Sequence, residues 1–200
     1  MRGEMKNSKQ TCSWPTSDPL LMEYHDKEWG VPVHDDRKLF EFLILEGFQA
    51  GLSWLTILRK RENFRRAFDN FDFNKIAAYD EGKIKSLMND SGIIRNKLKI
   101  TSAVTNAKAF LKIRKEFGTF AKYIWGFTGG KPIHNGFNSL SELPAKTELS
   151  DRISTDLKKR GFKFVGSTIV YAHMQATGMV NDHIRACFRY KELVRNPKAP

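Results

Sequence analysis

Two hundred residues with 40% hydrophobic and 28% charged side chains have the composition of a soluble globular protein, and 15 Phe, 4 Trp and 5 Tyr can fill a substantial core. The formal charge of +12, from 34 Lys and Arg against 22 Asp and Glu, favours a polyanionic partner, nucleic acid ahead of an anionic membrane surface. No apolar run approaches the length of a membrane helix, and residues 1–11 lack the apolar stretch of a secretory signal; the expectation is a cytoplasmic monomer with no membrane association.

The periodicity is helical nearly throughout. Asp18-Pro19 is a cap followed by a first-turn proline, opening a short helix through Tyr24 and His25. Asp35 or Asp36 caps a helix running to about Ala50, with Leu39, Phe40, Leu43, Ile44 and Phe48 on its apolar side. Ser53 caps the next, which carries Trp54, Ile57, Leu58, Phe64 and Phe68. A short helix lies between Asp80 and Asn89, and a long one spans 95–117 before the stop at Gly118. Thr119 caps a short segment ending near Phe127. The stretch 129–147 reads as an irregular loop inside the domain. Two more helices follow at 150–159 and 168–177, with Gly178 as a stop. No strand pair and no internal repeat is evident, so the fold class is all-α: a leader over 1–11, one helical domain over 12–190, and a flexible tail over 191–200.

Between those last two helices, Lys159-Arg160-Gly161-Phe162-Lys163-Phe164-Val165-Gly166-Ser167-Thr168 forms a tight helix–turn–helix connection. Glycines five apart permit close backbone approach. Free amides at the following helix start, Gly166, Ser167 and Thr168, can bind a phosphate, with Arg160 and Lys163 adding positive charge. A plain helical hairpin with a solvated basic rim fits the same residues.

Several of these segments share one resemblance. Tyr24-His25-Asp26, Glu28-Trp29-Gly30-Val31-Pro32, the run Leu45-Glu46-Gly47-Phe48-Gln49-Ala50-Gly51-Leu52-Ser53-Trp54, Gly92-Ile93-Ile94-Arg95, the hairpin and Val180-Asn181-Asp182-His183 resemble the DNA-3-methyladenine glycosylase I family, from about Cys12 to Cys187. The resemblance implies the helix-hairpin-helix glycosylase fold, with the hairpin element at about 150–177. It also implies a departure, because most of that superfamily places a catalytic Asp where this chain has Asn181. Asp182, one residue later, is not taken to replace it.

Cys12 and His25 near one end, with His183-x-x-x-Cys187 near the other, make a two-Cys, two-His set, the composition of a closed structural zinc site. The spacing 183 to 187 would put both side chains on one helical face. The pattern alone is weak; the resemblance implies one structural zinc ion on Cys12, His25, His183 and Cys187. His34, His134 and His173 read as surface or core histidines.

Glu46 stands in an otherwise apolar stretch, where a charge is costly unless paired or functional, although the helix could simply turn it to the surface. Tyr24, Trp29 and Trp54 would pass equally for core aromatics. The resemblance makes them one pocket: Trp54 as stacking platform for a flipped base, Trp14 and Trp29 lining it, Glu46 and Tyr24 bonding its polar edge. Leu52, beside Gly51, becomes the wedge entering the vacated stack. The implied reaction is hydrolytic release of free 3-methyladenine from alkylated double-stranded DNA, with Glu46 as the catalytic residue and no lyase step, although Lys163 lies in the turn where bifunctional enzymes carry a nucleophile. A zinc-stapled DNA-binding module without catalysis would keep the hairpin and the metal set but would not need Glu46, Tyr24 and Trp54 together. A helix-turn-helix regulator fits less well, since no exposed helix face gathers base-reading Arg, Asn and Gln.

Overall fold

The computed structural model describes residues 10–15 and 18–196; residues 1–9 of the expected 1–11 leader, residues 16–17 and residues 197–200 of the expected tail lie outside it. Ten α-helices carry the described chain: α1 (Pro19–Lys27), α2 (Asp36–Gln49), α3 (Trp54–Ala67), α4 (Phe73–Ala77), α5 (Glu81–Asn89), α6 (Lys97–Phe117), α7 (Phe120–Gly126), α8 (Glu148–Lys159), α9 (Ser167–Ala176) and α10 (Phe188–Arg195). The caps fall where side-chain chemistry puts them. Asp18, Asp35, Ser53, Asp80 and Thr119 each accept a backbone amide of the turn they open. Asn96 does the same for α6, and Thr147 with Ser150 closes a reciprocal capping pair at the start of α8.

The middle of the molecule is α2. Every residue from Leu39 to Phe48 is buried, because α3, α6, α7 and α9 cover the helix on all sides. An apolar helix enclosed this way has no solvent face to which Glu46 could turn, which removes the surface alternative for that residue. Phe40, Phe73, Phe110 and Phe120 interlock beside it at centroid distances of 4.2–6.0 Å. On its other flank Arg61 of α3, 6% exposed, bonds Glu41 of α2 at 2.7 Å and Glu28 at 2.8 and 2.9 Å, fastening α1 and α3 to the central helix.

Three expectations are corrected. A parallel strand pair does exist: β1 (Ile133–His134) registers with β2 (Val180–Asn181), two residues long and therefore without the alternating pattern by which strands are recognised. A C-terminal helix, α10, runs to Arg195 and buries Leu193, so the chain is structured well into the segment expected to be a flexible tail. His183 and Cys187 are not on a helix; the segment between them is a turn, and Cys187 is the N-cap of α10. The short α4 also escaped the periodicity, at barely more than one turn.

Candidate functional site

A cavity of about 310 Å³ opens between α1, α2, α3 and α9, at the lower end of the range for small-ligand pockets. Its walls include all five residues expected there: Trp14, Tyr24, Trp29, Glu46 and Trp54. The aromatic rings brace one another, Trp14 edge-on to Trp29 at 5.1 Å and Tyr24 tilted against Trp54 at 5.4 Å. The indole nitrogens of Trp14 and Trp54 are buried without a hydrogen-bond partner.

Glu46 is 4% exposed. Burial pushes its carboxyl up from the ordinary carboxylate value to about 8, since nothing cationic is close enough to favour the charged form. Tyr24 is likewise driven up, first by burial and then by the charge of Glu46, so its hydroxyl remains a donor at neutral pH. At pH 7 Glu46 is thus held mostly as the neutral acid.

Sequence reasoning missed half of the lining: Gln49, Leu140, Leu143, Ala172 and Gln175. Gln49 lay in a quoted motif but carried no distinctive chemistry. Leu140 and Leu143 come from the irregular 129–147 connection, where no period marks a buried residue. Gln175 donates its amide nitrogen to Asp182 at 2.7 Å, and Asp182 also accepts from Tyr171 at 2.6 Å and Asn135 at 2.6 Å. A carboxylate surrounded by donors orients the Gln175 amide, with the nitrogen committed and the carbonyl oxygen free to meet a ligand. It also means that Asp182 is occupied and is no substitute for a missing catalytic Asp. Asn181, at the superfamily's Asp position, is fully buried and tied into the fold, its Nδ2 bonding His134 Nδ1 at 3.1 Å and the Tyr190 carbonyl at 3.4 Å and its Oδ1 accepting the His183 amide at 3.3 Å.

Behind the Trp14 wall the four expected ligands come together. Cys12, His25, His183 and Cys187 are all buried, and one ligand atom from each lies within 4.8 Å of the others, close enough to hold a metal ion. His25 Nε2 and His183 Nδ1 are 3.1 Å apart, Cys187 Sγ is 3.6 Å from both, and Cys12 Sγ is 3.7 Å from His183. The outward nitrogens are held too, His25 Nδ1 by Asp26 at 2.7 Å and His183 Nε2 by the Trp29 carbonyl at 2.9 Å, the outer-shell arrangement usual for ligating histidines. Both cysteines are free thiols rather than a disulfide. Gly30 lies against His183, within about 3.2 Å of where a Cβ would stand.

Beside the cavity mouth the chain turns at Gly51 (φ +80°), leaving Leu52 40% exposed just before Ser53 and Trp54. The expected hairpin connects α8 to α9 through Gly161 (φ +94°) and Phe164 (φ +53°). No side chain caps α9, whose N-cap is Gly166, so the amides at Ser167 and Thr168 open its positive end to an anion. Lys163 is exposed. Arg160 is not available in the same way: its guanidinium is bound to Glu116 at 2.7 Å and to Asp156 at 2.7 Å, which makes it a brace between α6 and α8.

An aromatic pocket holding an unpaired acid, beside an exposed leucine and an uncapped hairpin helix, defines a helical protein equipped to receive a flat ring and an anion. Comparison with known proteins narrows the class. The family model described as methyladenine glycosylase matches residues 14–190. DNA-3-methyladenine glycosylase 1 of Escherichia coli (strain K12) is 49% identical over 181 residues, covering 90% of this chain and 97% of the relative. The Haemophilus influenzae DNA-3-methyladenine glycosylase is 48% identical over 176 residues, covering 88% and 95%. Among solved structures, a crystal structure of 3-methyladenine DNA glycosylase I superposes with a TM-score of 0.87 at 50% identity over 90% of this chain and 98% of that one. The Staphylococcus aureus enzyme, solved to show 3-methyladenine recognition, superposes with 0.87 at 34% identity over 95% and 97%. The chain belongs to the methyladenine glycosylase family of DNA-repair N-glycosylases.

Proposed function

We propose that the protein is a monofunctional base-excision-repair glycosylase that binds alkylated double-stranded DNA in the cytoplasm as a monomer, and hydrolyses the N-glycosidic bond of 3-methyladenine to leave an abasic site. The observation that carries this reading is the buried, partnerless carboxyl of Glu46 among Trp14, Tyr24, Trp29 and Trp54. Among the described residues nothing compensates it, and a cationic guest would.

A lesion must first leave the base stack, at a cost of a few kcal/mol. Leu52 enters the gap, while the α9 amides at Gly166, Ser167 and Thr168, with Gly161 and Lys163, grip the backbone. In the pocket, stacking on Trp54 contributes about 1–3 kcal/mol, and the indole faces favour a positively charged ring over a neutral one. Methylation at N3 supplies that charge. Arrival of the cation lowers the Glu46 pKa so that its proton passes to water, and the resulting anion bonds the polar edge together with the Tyr24 hydroxyl. Normal adenine, being neutral, would leave Glu46 protonated and forfeits this attraction.

The same charge explains how the reaction proceeds without the superfamily Asp at Asn181. A cationic purine leaves as a neutral molecule, so the C–N bond breaks with no general acid, and water adds to the oxocarbenium-like sugar. Glu46 holds the base and stabilises positive charge as it spreads toward the sugar.

Zinc is the metal that fits the four-residue cluster. Tetrahedral Zn–N bonds of 2.0–2.1 Å and Zn–S bonds of 2.3 Å would give N–N edges of about 3.3 Å and N–S edges of about 3.6 Å; here the N–N edge is 3.1 Å, three of the four N–S edges are 3.6–3.7 Å, and all six edges lie within 4.8 Å. Cys12, His25, His183 and Cys187 would hold the ion, and with four protein ligands it would serve structurally, tethering the strip that carries Trp14, Tyr24 and Trp29.

The test is chromatographic analysis of bases released from methylated duplex DNA. Release of 3-methyladenine with 7-methylguanine retained is the expected result. A folded, DNA-binding sample that released neither would leave the non-catalytic module as the better account.

A further inference from the structure

The pocket reading leaves one buried charge without a role. Lys99, in the first turn of α6, is 8% exposed, and among the described residues no carboxylate pairs with it. Burying an ammonium in this way is costly, and burial does pull its pKa below the ordinary lysine value. Its Nζ donates to two carbonyls only, Phe48 at 2.8 Å and Ala50 at 2.6 Å. Those are terminal carbonyls of α2, which have no partner within their own helix and sit at its negative pole. The chain leaves that point through Gly51 and Leu52 to Trp54. Lys99 therefore pins the turn that carries the exposed leucine.

Two turns along the same face of α6, Asn106 makes a matching attachment to the hairpin. Its side-chain amide donates to the Lys163 carbonyl at 3.0 Å and accepts the Lys163 amide at 2.7 Å, satisfying both backbone groups of one residue. Next in the chain is Phe164, held at positive φ and seated against Gly47, where an added Cβ would stand 3.4 Å from the Phe164 Cβ. Neither Lys99 nor Asn106 lines the base cavity. Seven residues of helix separate them, about 10 Å of rigid rod.

We infer that Lys99 and Asn106 are positioning residues for engaging duplex DNA, with α6 acting as a gauge that fixes the Leu52 turn at a set distance from the phosphate-gripping hairpin. The inference rests on the glycosylase reading. A duplex has a fixed spacing between its backbone and its stack, so grip and wedge must engage together to hold a base out. If either attachment is cut, the pocket remains intact while the lesion is no longer presented to it. A misplacement of about 1 Å can cost on the order of 100-fold in rate.

The experiment uses the full-length protein and the variants Lys99→Met, Lys99→Arg and Asn106→Ala. Three quantities are measured: affinity for free 3-methyladenine by tryptophan fluorescence, affinity for a duplex carrying a tetrahydrofuran abasic analogue, and single-turnover excision from methylated duplex. For Lys99→Met and Asn106→Ala, base affinity stays within about twofold of the parent, which also shows that the fold is retained. Duplex excision falls roughly 10- to 100-fold and analogue binding weakens. Lys99→Arg, which still donates to both carbonyls, recovers most of the loss. Excision close to the parent rate in both truncated variants overturns the inference, as does a fall in base affinity equal to the fall in excision. A parent protein that releases no base would instead defeat the glycosylase reading itself.

Discussion

Replacing Glu46 with Gln should make the protein more stable at alkaline pH, by an amount the structure sets. In the folded chain the carboxyl is held near 8 against an ordinary value of 4.5. The folded state thus keeps a proton that the unfolded state has released, and stability falls as pH rises through this window. At about 1.4 kcal/mol per pH unit, Glu46 alone withdraws roughly 3–4 kcal/mol between pH 5 and pH 8, a large share of the 5–15 kcal/mol by which domains are stable. Glutamine has nearly the same shape and does not titrate. Other ionisable groups are common to both proteins and cancel in the difference. Urea unfolding at pH 5, 6, 7 and 8, extrapolated linearly with the slope checked for constancy, should show the variant gaining on the parent by about 3 kcal/mol from pH 5 to pH 8. Parallel stability curves would refute the reasoning, because they would mean that the folded protein stabilises the anion through a partner or solvation the geometry does not reveal.

The catalytic counterpart has the opposite sign: kcat/KM for 3-methyladenine excision should rise with pH and level off near 8 as the free enzyme's Glu46 ionises, whereas Glu46→Gln should retain DNA binding, lose most excision and show no such inflection. A Cys187→Ser protein should lose bound zinc, by elemental analysis, and melting temperature together; full zinc with unchanged melting would take Cys187 off the ligand set. Arg61→Met removes the cation shared by Glu28 and Glu41 but leaves Arg65 on Glu41 at 2.8 Å and Lys38 near Glu28 at 3.6 Å, and should destabilise by about 1–3 kcal/mol, read by urea titration; a loss under about 0.5 kcal/mol would show that Arg65 and Lys38 alone satisfy both carboxylates.

The helical architecture was legible because most helices announce themselves twice, by a capping side chain and by an apolar period, as at Asp35 with Leu39, Phe40 and Leu43. Where either signal is absent the element was lost. Val180 and Asn181 form a strand too short to alternate, and α10 lies beyond the last segment that carried the resemblance. In the pocket, the sequence exposed residues whose chemistry is conspicuous in its surroundings, such as Glu46 within an apolar helix. It concealed Gln175 and Lys99, whose partners stand far off in the chain: Phe48 is 51 residues from Lys99. Arg160 failed in the other direction. A basic residue in a hairpin looks ready for phosphate until Glu116, 44 residues away, is seen to hold it.

The closure of the chain on itself bears on the order in which the protein becomes competent during synthesis. Domains generally assemble from the N-terminal side as translation proceeds, yet here the earliest-made wall is the last to be fixed. Trp14 and Trp29 lean on His25, which itself meets His183 and Cys187, and the Gln10 carbonyl receives the Phe188 amide at 2.8 Å. A nascent chain that has emerged only as far as α9 has its core and its hairpin but an unlaced base box. The base box is therefore complete only once the residues around Cys187 have been made.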